Sequence, residues 1–396
     1  MPRTVTHTAP GKLFIAGEYA VLKPGQPAIV VAVDRFITVS ASPPLDGEVE
    51  LATDLLPREV RLLRGRTGLR PLDVADTPHL GGALSHLVSV VEVVDELRAQ
   101  LALPPLPVRL TVRSDLHEQG VKIGLGSSGA VTVAAVTALT EFCSVPMSPE
   151  LRFRVALLAS IRRDAGPSGA DLAASTWGGW IVYQAPDRAR LLQSLRSSGP
   201  AQTAQARWPG FSVRSLPPPD ALSLHTGWSG TPASTSARVS QLTPTAWWGS
   251  AAFHRFLARS ESCVTTATHA LDRGDPEALL TAIHDARHIL AGLDQDTQLG
   301  IFTPQLTQLC TAAEAFGGAG KPSGAGGGDC GIALLPHTAP AHALRTRWAA
   351  AGITALPLHV TDPLNPAEGA SRAAGADVTD SPISRPPLIS DRGRSQ

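Results

Sequence analysis

Two glycine-rich runs constrain this chain more than any other feature: GVKIGLGSSGAVTVAAV at residues 120–136 and KPSGAGGGDCGIAL at 321–334. Gly124, Gly126 and Gly129 let the backbone pass close to a ligand. The small apolar residues that follow predict a helix whose first-turn amides face the loop. A phosphate group suits that geometry, with Gly124, Leu125, Gly126, Ser127, Ser128 and Gly129 as the cradle and Ser128 offering its hydroxyl to a Mg2+ ion. Glycine and serine also build ordinary helix-capping loops, and composition alone leaves both readings open. In the second run, Gly324, Gly326, Gly327 and Gly328 either admit close backbone approach or form a tight bend under packed helices.

The chain has four lysines, Lys12, Lys23, Lys122 and Lys321, and arginine supplies the rest of its basic charge. Lys122 and Lys321 each precede a glycine run, and Lys12 lies in APGKLFIAGEYAV. The arrangement is not the common nucleotide-binding loop, because the lysine comes before the glycines and no G-K-[ST] follows. Nor is it a dinucleotide fingerprint, which needs G-x-G-x-x-G and an acidic residue about 20 positions on.

Lys plus Arg balances Asp plus Glu at 34 each, so no net field favours nucleic acid or an anionic membrane surface. The start MPRTVTHTAPGK has no signal-like apolar core, and runs such as AIVVAV are too short to span a bilayer. A cytoplasmic protein is expected. Cys143, Cys263, Cys310 and Cys330 show neither CxxC pairing nor metal-ligand spacing, and they are expected as buried reduced thiols.

The residues predict an α+β protein. Segments 28–40 and PVRLTVRS read as strands, and Leu84, Leu87, Val88, Val91, Val94 and Leu101 fall on one face of a helix between them. Helices are expected over 130–143 and 150–162, and strands at WGGWIVYQ, GIALLP and ALPLHVT. The expected division is a first domain over 1–192, a Ser/Pro-rich insertion or junction over 193–219, a second domain over 220–363 and a disordered tail over 364–396.

APGKLFIAGEYAVL, KIGLGSSGA and KPSGAGGGDCG together resemble the three motifs of the GHMP small-molecule kinases, in order and at similar separations. PSGADLAASTWGGWI and GWSGTPASTS most resemble the phosphomevalonate branch of that family. The resemblance implies a ribosomal-protein-S5-like N-terminal domain and a ferredoxin-like C-terminal domain with the active site between them. It implies ATP and Mg2+ as cofactors, 5-phosphomevalonate as the acceptor and a monomer or homodimer, with no nucleic-acid or membrane partner. The alternatives are another acceptor such as mevalonate, or an inactive metabolite sensor.

Carried over by motif, Lys12 and Asp171 match the family's active-site lysine and aspartate. Ser127 and Ser128 match the serines that contact phosphate or metal, and Gly326 and Gly327 fall in the third motif. One register departs: mevalonate kinases carry a glutamate about eleven residues before the aspartate, where this chain has Ser160, with Asp164 displaced. The complete metal-ligand set is left open. For transfer between two anions, Lys12 and Lys122 are expected to neutralise transferring or acceptor phosphate, with Lys321 a further candidate. Tyr19, Ser168 and Ser323 are expected substrate contacts, although the first two also suit packing or capping. Ser229, Ser234 and Thr235 are open between substrate and helix-start roles, and Arg35 is a candidate for a carboxylate.

Overall fold

The computed structural model describes residues 4–364 except 83, 119, 120, 146, 234 and 243–246. Ser234 and the tail from 365 onward therefore lie outside the described residues.

The strand Pro27–Ser42 organises the first half of the molecule. Its run Ile29–Val33 is wholly buried, as expected for β-branched residues covered on both faces. It pairs antiparallel with Val5–Ala16, with Val108–Ser114 and with Trp180–Gln184. The eight-stranded sheet runs Ser212–Leu216, Trp180–Gln184, Pro27–Ser42, Val108–Ser114, Val49–Thr53, Val60–Gly65 and Gly68–Pro71, with Val5–Ala16 added beside Pro27–Ser42. Helices Ser85–Gln100, Ser127–Phe142, Pro149–Arg163 and Ala170–Trp177 pack on it and on one another. Local chemistry sets their ends. Ser148 caps Pro149–Arg163 by accepting from the Leu151 amide at 3.2 Å, with Pro149 at the first helical position.

Residues 193–219 differ from the expected insertion or junction. They hold the second part of the helix Arg188–Gln205, kinked at Gly199 and Pro200, and the edge strand Ser212–Leu216. Their Ser, Gln and Pro content reflects a kinked, half-buried helix and a sheet edge. The crossing to the second half comes at Pro217–Pro219, between Ser212–Leu216 and Leu222–Trp228.

The second half is a four-stranded antiparallel sheet ordered Ala319–Pro322, Cys330–Pro336, Leu222–Trp228 and Thr354–Leu356, with helices Ala251–Arg273, Pro276–Thr297, Pro304–Glu314 and Ala341–Ala350. The expected strand ALPLHVT overlaps the strand Thr354–Leu356 only at Ala355 and Leu356, and further on it pairs at a single bridge, Val360 with Val33. The chain then returns to the first sheet, where His359 accepts from the Asp34 amide (2.9 Å), Thr361 donates to Ala32 (3.0 Å) and Leu364 donates to Trp177 (2.7 Å). A single apolar cluster runs through both halves, and a smaller one surrounds Trp348. All four cysteines are buried and free. Among the described residues no helix is long and apolar enough to cross a membrane.

Candidate active site

A cleft of about 560 Å3 opens between the two glycine-rich loops. Its floor is the turn before Ser127–Phe142, where Gly124 and Gly126 take positive φ of 81° and 78° and Gly126 serves as the helix N-cap. No side chain caps this helix end, so its first amides are left for a ligand.

Each glycine of the floor makes room for a specific acid or base. A Cβ at Gly126 would lie 2.8 Å from Lys12 Cγ, one at Gly129 2.7 Å from the Asp171 carboxyl carbon, and one at Gly124 2.4 Å from Asp329 Cβ. Lys12 is further fixed by its amide, which donates to Leu125 O at 2.8 Å, and by its ammonium, which donates to Gly124 O at 3.1 Å. Asp171 stands in the first turn of Ala170–Trp177, where its Oδ1 accepts from the Leu172 amide at 3.0 Å. Burial raises its pKa, opposed by the Lys12 charge, by backbone amides and by the Ser128 hydroxyl, which donates to it. Burial likewise raises Asp329, whose Oδ1 accepts from the Ala233 amide at 2.8 Å.

Of the residues expected from sequence, Lys12, Lys122, Asp171, Gly124, Leu125, Gly126, Ser127, Ser128, Gly129, Tyr19 and Ser168 all line the cleft. Lys122 sits at its rim, exposed, in the short hairpin strand Val121–Lys122. The Tyr19 hydroxyl donates to Ala325 O at 2.6 Å, tying the first motif to the third. Ser168 Oγ accepts from the Ala170 amide at 3.3 Å, a turn contact beside Asp171.

Four expected substrate contacts do not reach the cleft. Lys321 is wholly buried, paired with Glu18 and donating to Pro322 O at 2.8 Å. Its charge is used to hold the third motif against the first. Ser323 straps the same junction, accepting from the Phe14 amide (2.8 Å) and donating to Phe14 O (3.1 Å). Gly326 and Gly327 face away from the cleft. A Cβ at Gly326 would meet Ile301 at 2.5 Å, and the space at Gly327 is filled by the Arg238 guanidinium. Arg35 is also placed elsewhere, donating to Asp115 O at 3.4 Å.

Sequence reasoning missed Glu18, His86, Arg163 and Asp329 among the lining residues. Glu18 and Asp329 lie inside the quoted motifs and could have been marked as acids beside the lysines. His86 and Arg163 lie on amphipathic helices with no motif around them. Among the described residues, no three His, Cys, Asp or Glu side chains converge as a metal cluster. The cleft instead offers hard oxygen donors in the Ser128 hydroxyl and the Asp171 carboxylate. That set fits Mg2+, which commonly takes one or two protein oxygens and completes its shell with water and substrate phosphates.

The chain matches the models of the GHMP kinases N terminal domain over residues 87–179 and of the GHMP kinases C terminal over 267–354. It is 51% identical over 365 residues to a phosphomevalonate kinase of Streptomyces sp. (strain CL190), covering 90% of this chain and 97% of that one. Among solved structures, it superposes on the Lin0012 protein of Listeria innocua with a TM-score of 0.82 at 30% identity, over 91% of this chain and 99% of that one. It superposes on the Streptococcus pneumoniae phosphomevalonate kinase in complex with phosphomevalonate and AMPPNP with a TM-score of 0.78 at 27% identity, over 90% and 100% of the two chains. With both halves of the fold, the motif loops and a near full-length relative in agreement, this chain belongs to the GHMP kinases and, within them, to the phosphomevalonate kinases.

Proposed function

We propose that this chain transfers the γ-phosphoryl group of ATP to the phosphate of 5-phosphomevalonate, giving 5-diphosphomevalonate and ADP. One observation carries the reading: Lys12 and Asp171 are both seated on the glycine loop at the head of Ser127–Phe142, so a cation, a carboxylate and free helix amides converge on one cleft. The Streptomyces relative and the pneumococcal kinase solved with phosphomevalonate support the choice of acceptor.

In the transfer, an acceptor phosphate oxygen bonds to the γ-phosphorus while the bond from that phosphorus to the β,γ-bridging oxygen breaks, and the electron pair leaves on ADP. Two anions must meet, and fixed positive charge in a partly desolvated cleft lowers that barrier. Lys12 supplies it at the floor, with Lys122 at the rim as a second ligand for phosphate. The loop amides, with Ser127 and Ser128, hold the ATP phosphates. The Ser128 hydroxyl and Asp171 would hold Mg2+, which when bound neutralises phosphate charge. A phosphate monoester has a second pKa of about 6 and is already mostly dianionic at neutral pH. Asp171 therefore orients Lys12 and the acceptor and has little proton to remove. Tyr19 and Ser168 shape the acceptor side.

Purified protein with ATP and Mg2+ should release ADP with 5-phosphomevalonate and very little with mevalonate, with the diphosphate product visible by phosphorus NMR. Preference for mevalonate would overturn the assignment.

A further inference from the structure

Arg163 brings a third cation to the cleft that holds Lys12 and Lys122, and among the described residues no carboxylate lies within ion-pair distance of any of the three. The nearby acids are engaged elsewhere. Asp164 Oδ1 accepts from the Gly166 amide at 2.8 Å, Asp171 takes the Leu172 amide at 3.0 Å, and Glu18 is paired with Lys321. Arg163 is exposed to the cleft, and three cations there without an ion-pair partner favour an anion entering from outside the protein.

The Arg163 guanidinium is also held in place. Thr132 Oγ1 has one hydrogen and donates it to Ser128 O at 2.7 Å, so toward His86 Nδ1, 3.2 Å away, it can only accept. Nδ1 therefore carries the ring proton. Arg163 Nη1 lies 3.2 Å from Nε2 and 3.3 Å from Nδ1, and with Nδ1 protonated it is Nε2 whose lone pair accepts from it. The ring stays neutral, since burial, then the charges of Arg163 and Lys122, lower its pKa to about 3. A chain of hydrogen bonds thus runs from the first turn of the glycine-loop helix through Thr132 and His86 to Arg163.

We infer that Arg163 recognises a phosphate group in the cleft, with His86 as its positioning residue, the phosphate being either one of the nucleotide's or that of the acceptor. The inference rests on the proposed phosphotransferase reading and adds to it the residue that supplies a planar, two-pronged donor, which suits phosphate oxygens better than a point charge. Arg163 ends the helix Pro149–Arg163, where the helix dipole favours a cation, so the position itself stabilises the charge.

Calorimetric titration with ADP, with pyrophosphate and with 5-phosphomevalonate, each alone, should be compared for the native protein, Arg163→Met and Arg163→Lys. Affinity for at least one phosphate ligand should fall about tenfold or more in Arg163→Met and recover in part in Arg163→Lys, with the thermal midpoint of Arg163→Lys unchanged. Loss confined to ADP and pyrophosphate places Arg163 on the nucleotide, and loss confined to 5-phosphomevalonate places it on the acceptor. His86→Phe should raise the same KM and leave the other unchanged. Unchanged affinity for all three ligands in Arg163→Lys and Arg163→Met would overturn the inference. If native protein fails to turn over 5-phosphomevalonate, the proposed function falls, while the ADP and pyrophosphate titrations still decide the role of Arg163.

Discussion

A Cβ at Gly129 would stand 2.7 Å from the carboxyl carbon and Oδ2 of Asp171, although the backbone there needs no left-handed conformation. Gly129→Ala should therefore fold normally and displace the carboxylate. Steady-state assays should show kcat down about a hundredfold, the scale expected for an ångström of misplacement, with little change in thermal midpoint. Lys12→Arg should behave similarly, because its stem lies against Gly126 and a planar guanidinium cannot place a point charge in that space. Turnover should fall far more than nucleotide affinity in a paired kinetic and binding measurement. Asp171 separates two accounts of the pH profile. If the substrate phosphate governs, kcat/KM rises with pH through about 6, and Asp171→Asn lowers the rate but keeps that limb. Burial raises the Asp171 pKa, so a general base would also give a rising limb in native enzyme. Loss of the limb in the Asn variant would identify Asp171 as that base.

At the scale of elements, the third motif acts chiefly as a strap. Lys321 and Glu18 form a buried pair, Tyr19 reaches Ala325, and Ser323 brackets Phe14 on both its amide and its carbonyl. Removing one partner of such a pair leaves an uncompensated buried charge, so Lys321→Met should cost about 3–5 kcal/mol in urea denaturation. Adding Glu18→Gln to it should recover most of that loss. The same strap marks the limit of what the sequence discloses. Period-2 and helical patterns were enough to place Pro27–Ser42, Val108–Ser114 and Ser85–Gln100, because burial on one face or on both writes itself into residue choice. The glycine loop and its neighbours Lys12 and Asp171 were legible from motif chemistry. Lys321, Ser323, Gly326 and Gly327 lie off the cleft lining, and a motif does not record which side of a loop faces the cleft. His86 and Arg163 stayed hidden because a contact between two helices distant in sequence leaves no local pattern.

For the whole molecule, one apolar cluster continues from the first sheet into the second, and the motif loops are locked across the junction. Differential scanning calorimetry should therefore show a single transition, with calorimetric and van't Hoff enthalpies in agreement. Two resolved transitions would show that the halves melt separately. The crossing at Pro217–Pro219 and the return over His359–Leu364 join the halves at two separate places. Two pins remove freedom that one pin leaves: sliding is blocked, and the only rigid swing left is about the line through both. Because the shared core resists that swing as well, the machine is closer to a fixed vice than to a jaw. The width of the gap is therefore expected to change little when substrates enter, which small-angle X-ray scattering with and without ADP and 5-phosphomevalonate would check.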